Sequence, residues 1–164
     1  MPTDPEGGLK AHFEPRGTLA DADLRSATMM DADDVAALLC ELGYPCDARD
    51  AAQRIGTIID NERQALVVAR CGGAVCGLIA LDFMYYLPLD TVTCRITALV
   101  VTPSAQGRGL GRQLLREAER RARAAGAARI ELTSGSQRAD AHAFYKACGY
   151  SDGTLRFIKR LGDA

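Results

Sequence analysis

Hydrophobic positions change period several times along this chain, and each change marks an element. Leu24 to Thr28 reads as a short strand. Asp31 is placed to cap a helix in which Val35, Leu38, Leu39 and Leu42 share a face, until Gly43 and Pro45 end it. Asp47 opens a second helix, to about Asp60. Two apolar, β-branched runs follow, 65–71 and 74–86, joined through Gly72 and Gly73 as a hairpin. Thr91 to Val101 has the propensity of a central strand, and its consecutive Leu99, Val100 and Val101 predict burial on both faces. From Gly109 to Ala125 the period becomes helical, through Leu110, Leu114, Leu115, Ala118 and Ala122, with Gly126 at the C-cap. A strand from Arg129 to Thr133, a helix from Ala139 to Cys148 and a last strand from Thr154 to Lys159 complete the order. This order predicts an α+β fold: a mixed, mostly antiparallel central sheet flanked by about four helices.

Composition adds bounds. A chain of 164 residues with 48% hydrophobic and 25% charged residues is ordinary globular material. Residues 1–22 mix Pro, Gly and charge without period and are expected to form a mobile arm; residues 23–164 are expected to form one domain. No apolar run approaches the ~18 residues of a membrane span, and the first twenty residues lack a signal-peptide core, so the expectation is a cytoplasmic protein without a membrane partner. Six cysteines without a C-x-x-C pair, and two distant histidines, His12 and His142, argue against a metal site and against a disulfide framework. Residues 1–100 carry 8 Lys/Arg against 15 Asp/Glu, and residues 101–164 carry 12 against 6. An anionic ligand is thus directed to the second half and a cationic one to the first. Near-zero net charge and few aromatics argue against nucleic acid.

The chemistry concentrates where the buried strand turns into the long helix, in VVTPSAQGRGLGRQLL. Gly107, Gly109 and Gly111 remove side chains where helix-start N–H groups can approach a ligand, and Arg108 and Arg112 add positive charge. Such a turn attracts phosphate. It is neither a P-loop, which needs G-x-x-x-x-G-K-[ST], nor a dinucleotide fingerprint, because the sixth position from Gly107 is Arg112. Glu131, placed near the start of its predicted strand, is also poorly placed for the ribose contact of such a fingerprint.

Gln106, Gly109 and Gly111 at this spacing, together with QRADAHAFYKACGY at 137–150, resemble the GNAT superfamily of N-acetyltransferases over roughly Leu24 to Lys159. The resemblance implies acetyl-coenzyme A as cosubstrate and no metal. It implies that backbone amides of Gln106, Gly107, Arg108, Gly109, Leu110, Gly111 and Arg112 hold the pyrophosphate, and that the strand end at Leu99, Val100 and Val101 bonds the pantetheine arm. It also makes Tyr145 the candidate general acid for the departing thiolate. Arg138 stands where many relatives have a cofactor-contacting Asn, so its guanidinium is a candidate for a cofactor phosphate or an acidic substrate group. His142, three residues before Tyr145, is a candidate proton shuttle or a hydrogen-bonded helix-start histidine. Phe144 and Cys148 read as core.

Many relatives carry a glutamate base where this chain has Thr97. The remaining candidates are Glu131 acting through water or held in a salt bridge, and Asp82 and Asp90 as holders of a cationic amine. The implied acceptor is a primary amine of a small molecule or peptide, met by residues 29–64 and the tip at 85–90. The segment LTSGSQRADAHAFYKACGY is similar to that of bacterial relatives acting on small amines, including aminoalkylphosphonate and aminoglycoside acetyltransferases; a protein lysine or N-terminal amine stays open as acceptor, and a homodimer is an expectation of the resemblance. The missing glutamate motivates an alternative, a noncatalytic acyl-coenzyme A binding module.

Overall fold

The computed structural model describes residues 22–134 and 139–162. Residues 1–21 of the expected arm 1–22, and Arg138, lie outside the described residues. Among them the chain runs β1 (Asp23–Ser26), a 3-10 turn (Met29–Asp31), α1 (Ala32–Leu42), α2 (Ala48–Ile59), β2 (Gln64–Cys71), β3 (Ala74–Tyr86), β4 (Thr91–Val101), α3 (Leu110–Ala124), β5 (Ala127–Leu132) and α4 (Ala139–Ala147). The strands form one sheet in chain order, β1-β2-β3-β4-β5. Pairing is antiparallel from β1 to β4, and β5 joins β4 in parallel, as a strand reached through a helix can.

Helices cover both faces. Val67, Ile79, Leu81 and Cys94 turn toward α3, where Leu110, Leu114 and Leu115 are 1% exposed or less. Leu66, Val68 and Leu78 face the other way, against Val35, Leu38 and Ile55 of α1 and α2. Burial on both faces explains why these strands read as continuous apolar runs rather than alternating ones. Gly77 lets α3 settle closely on β3: a Cβ there would stand 3.2–3.3 Å from Leu114, Leu110 and the Val100 carbonyl.

Capping follows the sequence for α2, where Asp47 accepts from the Asp50 N–H at 2.8 Å. At α1 Asp31 stands at the N-cap, as expected, but its side chain makes no capping hydrogen bond. Asp31 precedes α1, but its carboxylate turns back to accept from Arg25 at 2.7 and 2.8 Å and from the Thr28 N–H at 2.8 Å. It is 5% exposed, and the Arg25 guanidinium holds its carboxyl below the usual range.

Three further expectations are corrected. The strand at Thr154–Lys159 is absent: residues 151–162 have no regular structure, and all are exposed, because no strand among the described residues pairs with them. Cys71 and Cys76 form a disulfide, with Cα atoms 5.9 Å apart. The Gly72-Gly73 turn folds β3 back on β2 and brings these cysteines together without any C-x-x-C spacing. Finally, β5 begins at Ala127, so Glu131 lies at the strand's end rather than near its start. Its placement therefore does not tell against a nucleotide fingerprint, whereas the glycine spacing still does.

Candidate active site

The sheet opens between β4 and β5. Their parallel pairing runs from Val92 opposite Ala127 to Ile96 opposite Leu132 and stops, while β4 continues against β3 until Val101 pairs with Gly77. Residues 97–101 thus present a strand edge that β5 leaves unpaired. A register shift at Thr97 lies at the point of divergence: Leu81 pairs with Ile96, and Ala80 with Ala98. The extra residue changes which side chains face which layer, so Ile96 and Leu99 both pack on the α3 side while Ala98 and Val100 pack on the α1–α2 side. Thr97 itself is exposed and carries no carboxylate.

Beyond Val101 the chain turns into α3. Thr102 donates its N–H to the Cys76 carbonyl at 2.8 Å, and the Gln106 side-chain amide donates to the Val101 carbonyl at 2.9 Å, tying the turn to the strand end. The exposed Gln106 side chain thus folds back onto the strand end and acts as a brace. Gly107 and Gly109 have φ of +73° and +84°, the left-handed region that favours glycine, and Gly109 is the N-cap of α3. The first N–H groups of α3 have no partner within the helix, and the dipole of its fifteen residues places positive potential there. This end of the molecule can bind phosphate oxygens, while the free edge of β4 can exchange hydrogen bonds with an extended ligand.

The α4 helix leans on the same turn. A Cβ on Gly111 would stand 3.2 Å from the tip of the Phe144 ring. Tyr145 packs beside Phe144 and Tyr150, with ring centroids 5.4 and 6.1 Å away. Phe144, Tyr145 and Cys148 are half-buried at the edge of the α3-side core rather than inside it. His142 is also half-buried. A groove of about 240 Å³ between α3 and α4 is bordered by Arg112, Arg116 and Glu119. The Tyr150 hydroxyl donates to Glu119 at 3.2 Å, and burial, followed by that carboxylate, raises the phenol's pKa.

Sequence candidates for acid and base separate here. The strand end, the glycine turn and Phe144–Tyr145 come together. Asp90 does not join them: it sits at the hairpin tip and accepts from the Tyr85 hydroxyl at 2.7 Å. Glu131 is committed to two guanidinium groups, Arg95 at 3.1 Å and Arg129 at 3.5 Å. Arg95 also donates to Thr133 at 2.9 Å and stands opposite Asp82 in the β3–β4 ladder, while Arg129 lies over the Tyr86 ring at 4.1 Å. The salt-bridge alternative for Glu131 thus holds, and Asp82 was also a candidate, but sequence reading missed the two arginines, Arg95 and Arg129, that stand with these acids. The spacing of Arg129 and Glu131, two apart on a strand, was the available signal.

The sequence profile of the acetyltransferase (GNAT) family matches residues 32–150, which include the β4–α3 turn and α4. The chain belongs to the GNAT family. That makes it an acyltransferase, and aminoalkylphosphonate N-acetyltransferase from Salmonella typhimurium is 38% identical to it over 142 residues, covering 85% of this chain and 91% of the relative. Solved structures share the fold. A transcriptional regulator from Bacillus halodurans superposes with TM-score 0.79 at 23% identity, covering 85% of this chain and 99% of that one. Glucosamine-6-phosphate N-acetyltransferase from Arabidopsis thaliana superposes with TM-score 0.74 at 16% identity, covering 85% and 98%. No group of His, Cys, Asp or Glu among the described residues is arranged to hold a metal, and no described helix is long and apolar enough to cross a membrane.

Proposed function

We propose that this GNAT protein transfers the acetyl group of acetyl-coenzyme A to the primary amine of a small molecule, with aminoalkylphosphonates as the leading acceptor class. The observation that carries the reading is the juxtaposition of an unpaired β4 edge with a glycine-built helix start. Amides of residues 106–112 receive the pyrophosphate there, and residues 99–101 bond the pantetheine arm, directing the thioester into the gap between β4 and β5. Arg112 and Arg116, bordering the α3–α4 groove, supply charge for the remaining phosphate. Arg138 is retained as a further candidate cation for the cofactor.

The amine nitrogen attacks the thioester carbonyl directly, the carbon–sulfur bond breaks, Tyr145 delivers a proton to the leaving thiolate, and the proton lost by the amine nitrogen passes to solvent, from which Tyr145 is reprotonated. No carboxylate stands at Thr97, so rate enhancement rests largely on holding a deprotonated amine beside the carbonyl. The acceptor preference draws on the relative's substrate and on the charges of the sheet: Arg95 and Arg129 offer guanidinium groups to an anionic acceptor, and Asp82 offers a counter-charge to its ammonium group. The protein is proposed to act in the cytoplasm.

A free-thiol assay with acetyl-coenzyme A and a panel of aminoalkylphosphonates, simple amines and lysine peptides tests the reading. Thiol release that depends on the phosphonate amines is expected. Release with peptides alone reassigns the acceptor, and cofactor binding without release from any acceptor supports the noncatalytic module instead.

A further inference from the structure

The sheet face that carries α1 and α2 changes character along its strands. Under these helices it is apolar, with Leu66, Val68, Leu78, Ala80, Ala98 and Val100 in neighbouring rows across β2, β3 and β4. Alternation along the strands puts Asp82 and Tyr86 of β3, Thr93 and Arg95 of β4, and Arg129 and Glu131 of β5 on the same face, beyond those rows. There the side chains of Arg95, Glu131 and Arg129 stay 34%, 34% and 40% exposed, open to a ligand.

The polar groups on this half are linked in one line. Arg95 donates to the Thr133 hydroxyl and to Glu131; Glu131 turns its other oxygen to Arg129; Arg129 donates through Nε to Thr93 Oγ1 at 3.3 Å and lies over the Tyr86 ring. The line has a direction. Thr133 follows Leu132, the last residue of β5 to pair with β4, so Arg95 leans toward the gap between the two strands. Arg95 is two residues before Thr97, about 7 Å along β4. Arg129 leans the other way, toward Tyr86, whose partner Thr91 is six residues before Thr97, about 20 Å. An amine separated from its anionic group by one or two carbons spans from the gap to Arg95 and falls short of Arg129.

Glu131 faces both guanidinium groups. Alone with Arg95 it would cancel that charge and repel an incoming anion. Shared with Arg129, which Tyr86 and Thr93 hold in place, it leaves Arg95 with positive charge to offer at the gap. We propose that Arg95 selects the acceptor by binding the anionic group of short aminoalkylphosphonates, and that Arg129 is a positioning residue that draws Glu131 away from it. This rests on the acceptor class proposed above and narrows it: of the two arginines only Arg95 meets the substrate, and one or two carbons between nitrogen and phosphorus are favoured over longer chains.

Steady-state kinetics with acetyl-coenzyme A and aminomethyl-, 2-aminoethyl- and 4-aminobutylphosphonate test this. The wild type should have its lowest KM with the two shorter amines. Arg95→Gln should raise KM for 2-aminoethylphosphonate about thirtyfold or more, well beyond its effect on kcat, with Arg95→Lys between the two. Arg129→Gln should raise that KM about fivefold, and adding Glu131→Gln should bring it back to within about twofold of the wild type. Circular dichroism verifies each fold, and Arg95→Lys carries the test if Arg95→Gln does not fold. An unchanged KM on replacing Arg95 overturns the proposal. So does an effect of Arg129→Gln as large as that of Arg95→Gln and not relieved by Glu131→Gln, because Arg129 would then hold the anion itself. A wild type that releases no thiol with any of these amines is a different failure, which overturns the acceptor class and this assignment with it.

Discussion

The two helices of the α3–α4 layer are built to different standards. At the β4–α3 turn, Leu110, Leu114 and Leu115 are sealed against the sheet, Gln106 ties the loop to Val101, and glycines occupy the positions with left-handed backbone. By contrast α4, which leans on that turn through Phe144, buries no residue, and the chain after Tyr150 lies in solvent. The first region is determined by contacts local to a strand, a turn and a helix. The second depends on partners distant in sequence or on another molecule. A site that must hold the same ligand at every turnover belongs on a rigid region, whereas a region with few buried contacts opens more readily.

Breaking the rigid region should have the largest effect. Gly109→Trp sets a large side chain in a left-handed backbone position at the proposed pyrophosphate site, and is expected to weaken acetyl-coenzyme A binding by about a hundredfold or more, read by calorimetry. Tyr145→Phe keeps the ring packing with Phe144 and Tyr150 but removes the proton. A fall in kcat of about a hundredfold with little change in cofactor affinity is expected, and equal turnover would reduce Tyr145 to a packing residue.

Stability sharpens the same contrast. Leu114→Ala, at a fully buried position, is expected to cost about 3 kcal/mol in denaturant unfolding, while truncation of exposed Leu155 in a monomeric background should change it by less than about 0.5 kcal/mol.

Acid exposes a smaller effect on the α3 side. Glu117 pairs with Arg120 and Arg121, chiefly through the hydrogen bonds from Arg120, and its pKa is lowered to about 2. A depressed carboxylate pKa stabilises the fold above the unfolded value near ~4.3 and loses that contribution as pH falls toward the folded value. Thermal melts of Glu117→Gln and the wild type should therefore converge between pH 4 and about 2 and differ at pH 7.

What was legible in the sequence follows the same division. The turn could be read because Gly107, Gly109 and the helical period after Leu110 are local signals, and the paired apolar runs gave the order of the sheet. Asp47 capped as its position predicts. Asp31 also stands at its N-cap, but its carboxylate does not cap the helix, because Arg25 reaches it across a turn that periodicity does not reveal. The true start of β5 was hidden because Ala127 and Ala128 have weak strand propensity and are drawn into the sheet by the register with Val92. The Cys71–Cys76 bridge depends on hairpin geometry rather than on cysteine spacing. Residues 154–161 do have the propensity of a strand, but a strand needs a neighbour, and propensity does not supply one.

The most direct test of the central claim is an amide NMR titration of the labelled protein with acetyl-coenzyme A. The account predicts that the largest shifts fall at residues 97–101 and 106–112. Shifts concentrated instead at the depression of about 520 Å³ beside Arg63, Phe83, Tyr85 and Arg121, at the far end of α3, would contradict it.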